Sequence, residues 1–179
     1  MKTWILFGFL ALSASGALLA QEMPVQAQAC VACHGKDGVA TNPEWPNLAG
    51  QHVGYLAAQL TAFRDGTRNN PAMVPFVANL SDEDIQVISE YYAGQKRVTA
   101  ANGDAALVAK GENLAAYCKA CHGMQGVPAA KEWPILAGQN APYLLKQLLA
   151  YKSGDRVNSH MAAVIARFGE PEFKALAAY

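Results

Sequence analysis

Cys30-Val31-Ala32-Cys33-His34 and Cys118-Lys119-Ala120-Cys121-His122 use every cysteine of this 179-residue chain in one five-residue pattern. Two thiols three positions apart can each form a thioether with one vinyl group of a haem, and the adjacent imidazole is then held against the iron. Cys30, Cys33, Cys118 and Cys121 are therefore read as covalent attachment points for two haem c groups. His34 and His122 are read as the axial ligands on one side of each iron. Two other chemistries use paired cysteines. A structural zinc site would gather all four thiolates, but 84 residues separate the pairs, far beyond ordinary ribbon spacing. A thioredoxin-like redox pair requires no histidine and follows a strand in an α/β fold.

Outward from the motifs the chain repeats itself. Shifted by 88 residues, Glu44-Trp45-Pro46 falls on Glu132-Trp133-Pro134, and Leu48-Ala49-Gly50-Gln51 on Leu136-Ala137-Gly138-Gln139. Tyr55-Leu56 falls on Tyr143-Leu144, Gln59-Leu60 on Gln147-Leu148, and Gly66, Arg68, Asn70 and Met73 on Gly154, Arg156, Asn158 and Met161. No gap is needed, and 25 of 62 aligned positions are identical. This is a duplicated domain. The expected units are residues 21–94 and 104–179, joined by a polar linker over 95–103. Each is near the size at which a polypeptide core alone is marginal, and a large apolar cofactor would supply what is missing.

Residues 1–20 stand apart. Lys2, the apolar run Trp4 to Leu12 and the small residues Ser13 to Ala17 read as a secretory signal cleaved after Ala20, with Ala17 as the alternative. An exported chain normally pairs its cysteines as disulfides, which the histidine-flanked spacing argues against here. The charge is balanced, 14 basic against 14 acidic residues, so a nucleic-acid partner is not indicated.

The expected secondary structure is helical. Val53–Asp65 and Ala141–Ser153 carry apolar residues at helical spacing and stop at Gly66 and Gly154. Ser81 caps a helix with carboxylates in its first turn and Ile85, Ile88, Tyr91 and Tyr92 on its inner side. Asp104 to Tyr117 reads as one amphipathic helix entering the second motif. The last helix, ending at Tyr179, is expected to fray. His52, opposite Asn140 in the repeat, is expected at the surface.

Each iron needs a sixth ligand or an open position. Met73, in the loop Asn70-Pro71-Ala72-Met73-Val74-Pro75, is the expected thioether ligand of the first, favouring ferrous iron. Met161 sits at the matching offset in the second half. There Ser159 and His160 replace Pro71 and Ala72, so His160 competes with Met161 for that iron.

With these residues in view, each half resembles a class I cytochrome c, and the tandem resembles the di-haem cytochrome c4 family. Leu-Ala-Gly-Gln and Tyr-Leu-x-x-Gln-Leu carry the resemblance in both halves. Met-x-Pro followed by Leu-Ser-Asp-Glu-Asp-Ile carries it in the first half only. It implies an all-α fold of two tandem class I domains, each wrapped around one covalent haem. It implies that the Pro46 and Pro134 carbonyls accept the Nδ1 protons of His34 and His122, and that Arg68 and Arg156 neutralise haem propionates. It places Trp45, Trp133, Tyr55 and Tyr143 near the haem edges, with the propionate edges of the two haems close together.

The implied function is that of a periplasmic one-electron carrier rather than an enzyme. Its partners would be redox proteins, such as a quinol–cytochrome c reductase, a terminal oxidase or a dehydrogenase, and loose association with the membrane is compatible with that role. The cytochrome subunit of a flavocytochrome sulfide dehydrogenase is an alternative, and a di-haem peroxidase, with one iron open near His160, is another.

Overall fold

The structure, a computed structural model, describes residues 22–98 and 103–179. The expected export signal and residues 99–102 of the expected linker lie outside these. Among the described residues there is no strand. A short 3-10 helix at Val25–Cys30 leads into α1, Val31–His34. The first half continues with α2 (Val53–Arg64), α3 (Val74–Val77) and α4 (Asp82–Ala93). The second contains α5 (Ala105–Leu114), α6 (Ala116–His122), α7 (Ala141–Ser153), α8 (Ser159–Ile165) and α9 (Glu170–Ala178).

Local chemistry sets these boundaries. Ser81 Oγ accepts from the Asp84 N–H at 3.1 Å while Asp84 Oδ2 accepts from the Ser81 N–H at 3.0 Å. This reciprocal box satisfies two orphan donors at the start of α4. Asp104 and Asn158 cap α5 and α8 by accepting from the N–H groups of Leu107 and Met161. Gly154, at φ 91°, ends α7 in the left-handed conformation.

The expected single helix over Asp104–Tyr117 is instead two, α5 and α6. At Ala115 ψ opens to −8°, and the chain turns there over a buried methyl group. After the turn, Cys118, Cys121 and His122 line a large cavity. The last helix is also better held than expected. Phe173, Ala175 and Ala177 of α9 are buried, α9 packs on α5 and α7, and Tyr179 N–H donates to Ala175 O.

Each half has its own apolar cluster. Ala27, Leu56, Ile88, Tyr91 and Tyr92 form the first, where α2 packs on α4. Ile165, Phe168 and Phe173 form the second, beneath α7. Both are small, and both border the same large cavity.

The α5–α9 crossing is close because position 111 has no side chain. A Cβ there would collide with the Ala175 carbonyl oxygen and lie 2.8 Å from Tyr179 Cβ. Gly111→Ala gains about 1 kcal/mol of helix propensity, but overpacking against backbone costs about 1–3 kcal/mol or more. The variant is expected to lower the urea midpoint, and an unchanged or raised midpoint would show that the crossing is looser in solution.

Candidate functional site

α1 and α6 each end on the histidine of a cysteine motif, followed by a glycine with positive φ: 75° at Gly35 and 81° at Gly123. A Cβ at either glycine would collide with a carbonyl oxygen, that of Val39 or Val127, so the chain can turn there only without a side chain. After the turn the chain returns over the histidine. Pro46 O accepts from His34 Nδ1 at 3.0 Å, and Pro134 O accepts from His122 Nδ1 at 3.1 Å. Each ring is fixed through Nδ1, and neither Nε2 has a hydrogen-bond partner among the described residues, the arrangement that orients an imidazole toward a metal. Burial pushes both imidazoles below their ordinary value, the proline carbonyls partly opposing. The shift favours the neutral imidazole, the form that can ligate.

None of the four cysteines is paired in a disulfide. Burial, then the neighbouring Cys33, pushes the Cys30 thiol up to about 11. Burial likewise raises Cys118, with Cys121 adding to it. A low-pKa reactive dithiol has the opposite environment. No group of three or more His, Cys, Asp or Glu side chains among the described residues could hold a metal ion, so the zinc reading has no support.

Both motifs open onto one cavity of about 1240 Å³, larger than the ~300–1,000 Å³ of a site for one small ligand. Met73 and Met161 line it, together with Trp45, Trp133, Tyr55 and Tyr143. Tyr92 also borders it, its hydroxyl buried and without a hydrogen-bond partner among the described residues. Met161, half-buried, packs against the second apolar cluster; His160 is exposed and also lines the cavity.

The halves meet across a polar junction with pseudo-two-fold symmetry. Gln51 exchanges two hydrogen bonds with the backbone of Ile135, at 2.9 and 2.8 Å, and Gln139 does the same with Asn47, at 2.8 Å each. At the centre, Arg68 donates to Gln59, Gln147 and Tyr143, and Arg156 donates to Gln147, Gln59 and Tyr55. Each arginine therefore reaches into the other half. Every one of these acceptors is neutral, and neither guanidinium has a carboxylate partner among the described residues. Two cations sharing neutral acceptors beside an apolar cavity suit an anionic ligand edge. The residues present thus fit a covalently held haem: paired thiols, an oriented neutral imidazole, a thioether, and a cationic site for propionates.

His52 corrects the expectation of a surface position. It is 9% exposed, and its Nε2–H donates to Pro128 O across the junction at 3.2 Å. Nothing in its neighbouring residues marks this, because the group that buries it lies 76 positions away. Its partner in the repeat, Asn140, also reaches across the junction, but donates to Trp45 O rather than to the residue that matches Pro128. Burial lowers the His52 pKa; Lys131 and Arg97 lower it too, while the Pro128 carbonyl and Glu132 oppose them. The unfolded chain therefore takes up this proton first. Stability is full above the ordinary imidazole value of about 6.5 and declines as the pH falls below it. His52→Asn is expected to flatten this decline in urea titrations between neutral and mildly acidic pH. A parent-minus-variant difference that does not change with pH would contradict the burial of His52.

Comparison with known proteins agrees with the site. The family described as cytochrome C oxidase, cbb3-type, subunit III matches residues 19–91. A cytochrome c4 of Pseudomonas aeruginosa is 36% identical, over 86% of this chain and 83% of that protein. A thiosulfate dehydrogenase electron acceptor of Stutzerimonas stutzeri is 37% identical, over 86% of this chain and 78% of its own length. The crystal structure of reduced recombinant cytochrome c4 from Pseudomonas stutzeri superimposes with a TM-score of 0.81 at 32% identity, covering 86% of this chain and 93% of that one. By its all-α class I architecture, its covalent-haem motifs and its relatives over most of its length, this chain belongs to the cytochrome c4 family of electron-transfer proteins.

Proposed function

We propose that the chain is an exported di-haem relay that passes single electrons between redox proteins of the periplasm. In this reading residues 1–20 are the export signal, and 21–94 and 104–179 are separate haem domains joined by 95–103. Cys30 and Cys33 tether one haem and Cys118 and Cys121 the other. His34 and Met73 are the axial ligands of the first iron, and His122 and Met161 those of the second. When bound, the haems supply a reversible ferric–ferrous couple. The chain's own residues orient the imidazoles, exclude water from the apolar walls and neutralise the propionates. With Met73 and Met161 as well as His34 and His122 holding the irons, substrate would have no access to iron, and the haems would supply outer-sphere one-electron transfer.

The observation that carries this reading is the pairing of two identically built histidine sites on one cavity, with Arg68 and Arg156 lacking any carboxylate between them. A quinol–cytochrome c reductase as donor and a terminal oxidase as acceptor fit a respiratory relay. The similarity to a thiosulfate dehydrogenase electron acceptor supports a dehydrogenase as an alternative donor. The inward packing of Met161, with His160 exposed, favours a closed second iron and weighs against a peroxidase.

The test is the mass and redox-titrated visible spectrum of the purified mature protein. A chain beginning at residue 21, carrying two haems and showing two one-electron steps is expected. A colourless chain, or one haem per chain, would overturn the reading.

A further inference from the structure

The peptide group between Pro46 and Asn47 faces two ways. Its carbonyl accepts from His34 Nδ1 at 3.0 Å, and its N–H donates to Gln139 Oε1, in the other half, at 2.8 Å. The peptide group between Pro134 and Ile135 repeats this with the halves exchanged. Its carbonyl accepts from His122 Nδ1 at 3.1 Å, and its N–H donates to Gln51 Oε1 at 2.8 Å. The two glutamine oxygens have a settled orientation. Each also accepts from the next backbone N–H, that of His52 at 3.0 Å or Asn140 at 2.9 Å. Each amide nitrogen donates to a carbonyl, Ile135 O or Asn47 O. A flipped amide would set donor against donor at the two N–H contacts and acceptor against acceptor at the carbonyl.

We propose that Gln51 and Gln139 are positioning residues for electron transfer, each tuning the reduction potential of the opposite half's haem through a single peptide group. The proposal rests on the reading of His34 and His122 as iron ligands. An amide whose N–H is engaged is polarised and becomes a better acceptor at its carbonyl, by about 10–30% per bond. A better acceptor at Nδ1 makes the imidazole a more basic ligand, which favours ferric iron. Gln139 thus lowers the potential of the first haem, and Gln51 that of the second. Linkage makes the effect reciprocal. Ferric iron strengthens Nδ1–H as a donor, so the junction hydrogen bond on the same peptide is tighter in the oxidised half.

The test uses the di-haem holoprotein and the variants Gln139→Met and Gln51→Met. These keep an unbranched side chain of similar length and remove the acceptor oxygen. Potentials of the two haems are resolved by redox titration followed by NMR. Gln139→Met is expected to shift the ferric–ferrous equilibrium of the first haem toward ferrous roughly two- to tenfold, leaving the second unchanged. Gln51→Met is expected to do the reverse. Equal shifts at both haems, shifts confined to the mutated half, or no shift would each overturn the proposal. A second measurement needs no variant. In the parent protein the amide protons of Asn47 and Ile135 are expected to exchange more slowly in the ferric than in the ferrous state, and equal rates would overturn the proposal. A chain lacking either haem sinks the functional reading beneath it, whereas two intact haems without crossed shifts sink only this inference.

Discussion

Replacing Cys118 and Cys121 together by serine is expected to produce a protein with one haem and an unfolded second half. The second half spans about 75 residues, a size at which a polypeptide core rarely supplies more than ~3–5 kcal/mol. Its apolar cluster is built on Ile165, Phe168 and Phe173, and much of what surrounds it faces the cavity rather than other side chains. Without the tethered haem, Met161, Trp133 and Leu144 border a void or water. The first half should survive, because Leu56, Ile88, Tyr91 and Tyr92 make their own cluster. Mass should fall by one haem, visible absorbance by half, and limited proteolysis should cut within 103–179 while sparing 22–98. Retention of two haems, or full protection of the second half, would contradict this account.

The second large effect concerns the thioethers. Met73→Ala removes the proposed soft ligand of the first iron. Its potential is expected to drop by on the order of a few tenths of a volt, within the ~0.8 V that axial ligands span. The opened position should bind cyanide. Met161→Ala should act in the same way on the second haem only. His160 is exposed on the first turn of α8 while Met161 faces the second apolar cluster, so histidine should not take over. A Met161→Ala protein with an unaltered spectrum would make His160 the ligand. A Met73→Ala protein with unaltered potentials would remove Met73 from the site.

Much of this was legible in the residues because it is local. The bounds of α2 and α7 follow from helical spacing and stop signals, and the start of α4 follows from Ser81 and Asp84, three positions apart. The attachment motifs are contiguous. Ala115 was not legible, since alanine has the highest helix propensity and the break there arises from packing of the whole second half. The burial of His52 and the reach of Arg68 to Tyr143 and Gln147 depend on residues about 75–80 positions away. The repeated Leu-Ala-Gly-Gln was legible as a repeat and as part of the family resemblance, with no role for its glutamines. Its glutamines acquire a role once two copies face each other.

That reciprocity has a consequence for assembly. Because Gln51 clasps Ile135 while Gln139 clasps Asn47, the surface is self-complementary and is consumed when the two repeats fold together. It is the geometry of an isologous homodimer whose subunits have been fused, and such contacts close on themselves instead of propagating into filaments. Fusion also makes the pairing intramolecular, so that it does not weaken as the protein is diluted.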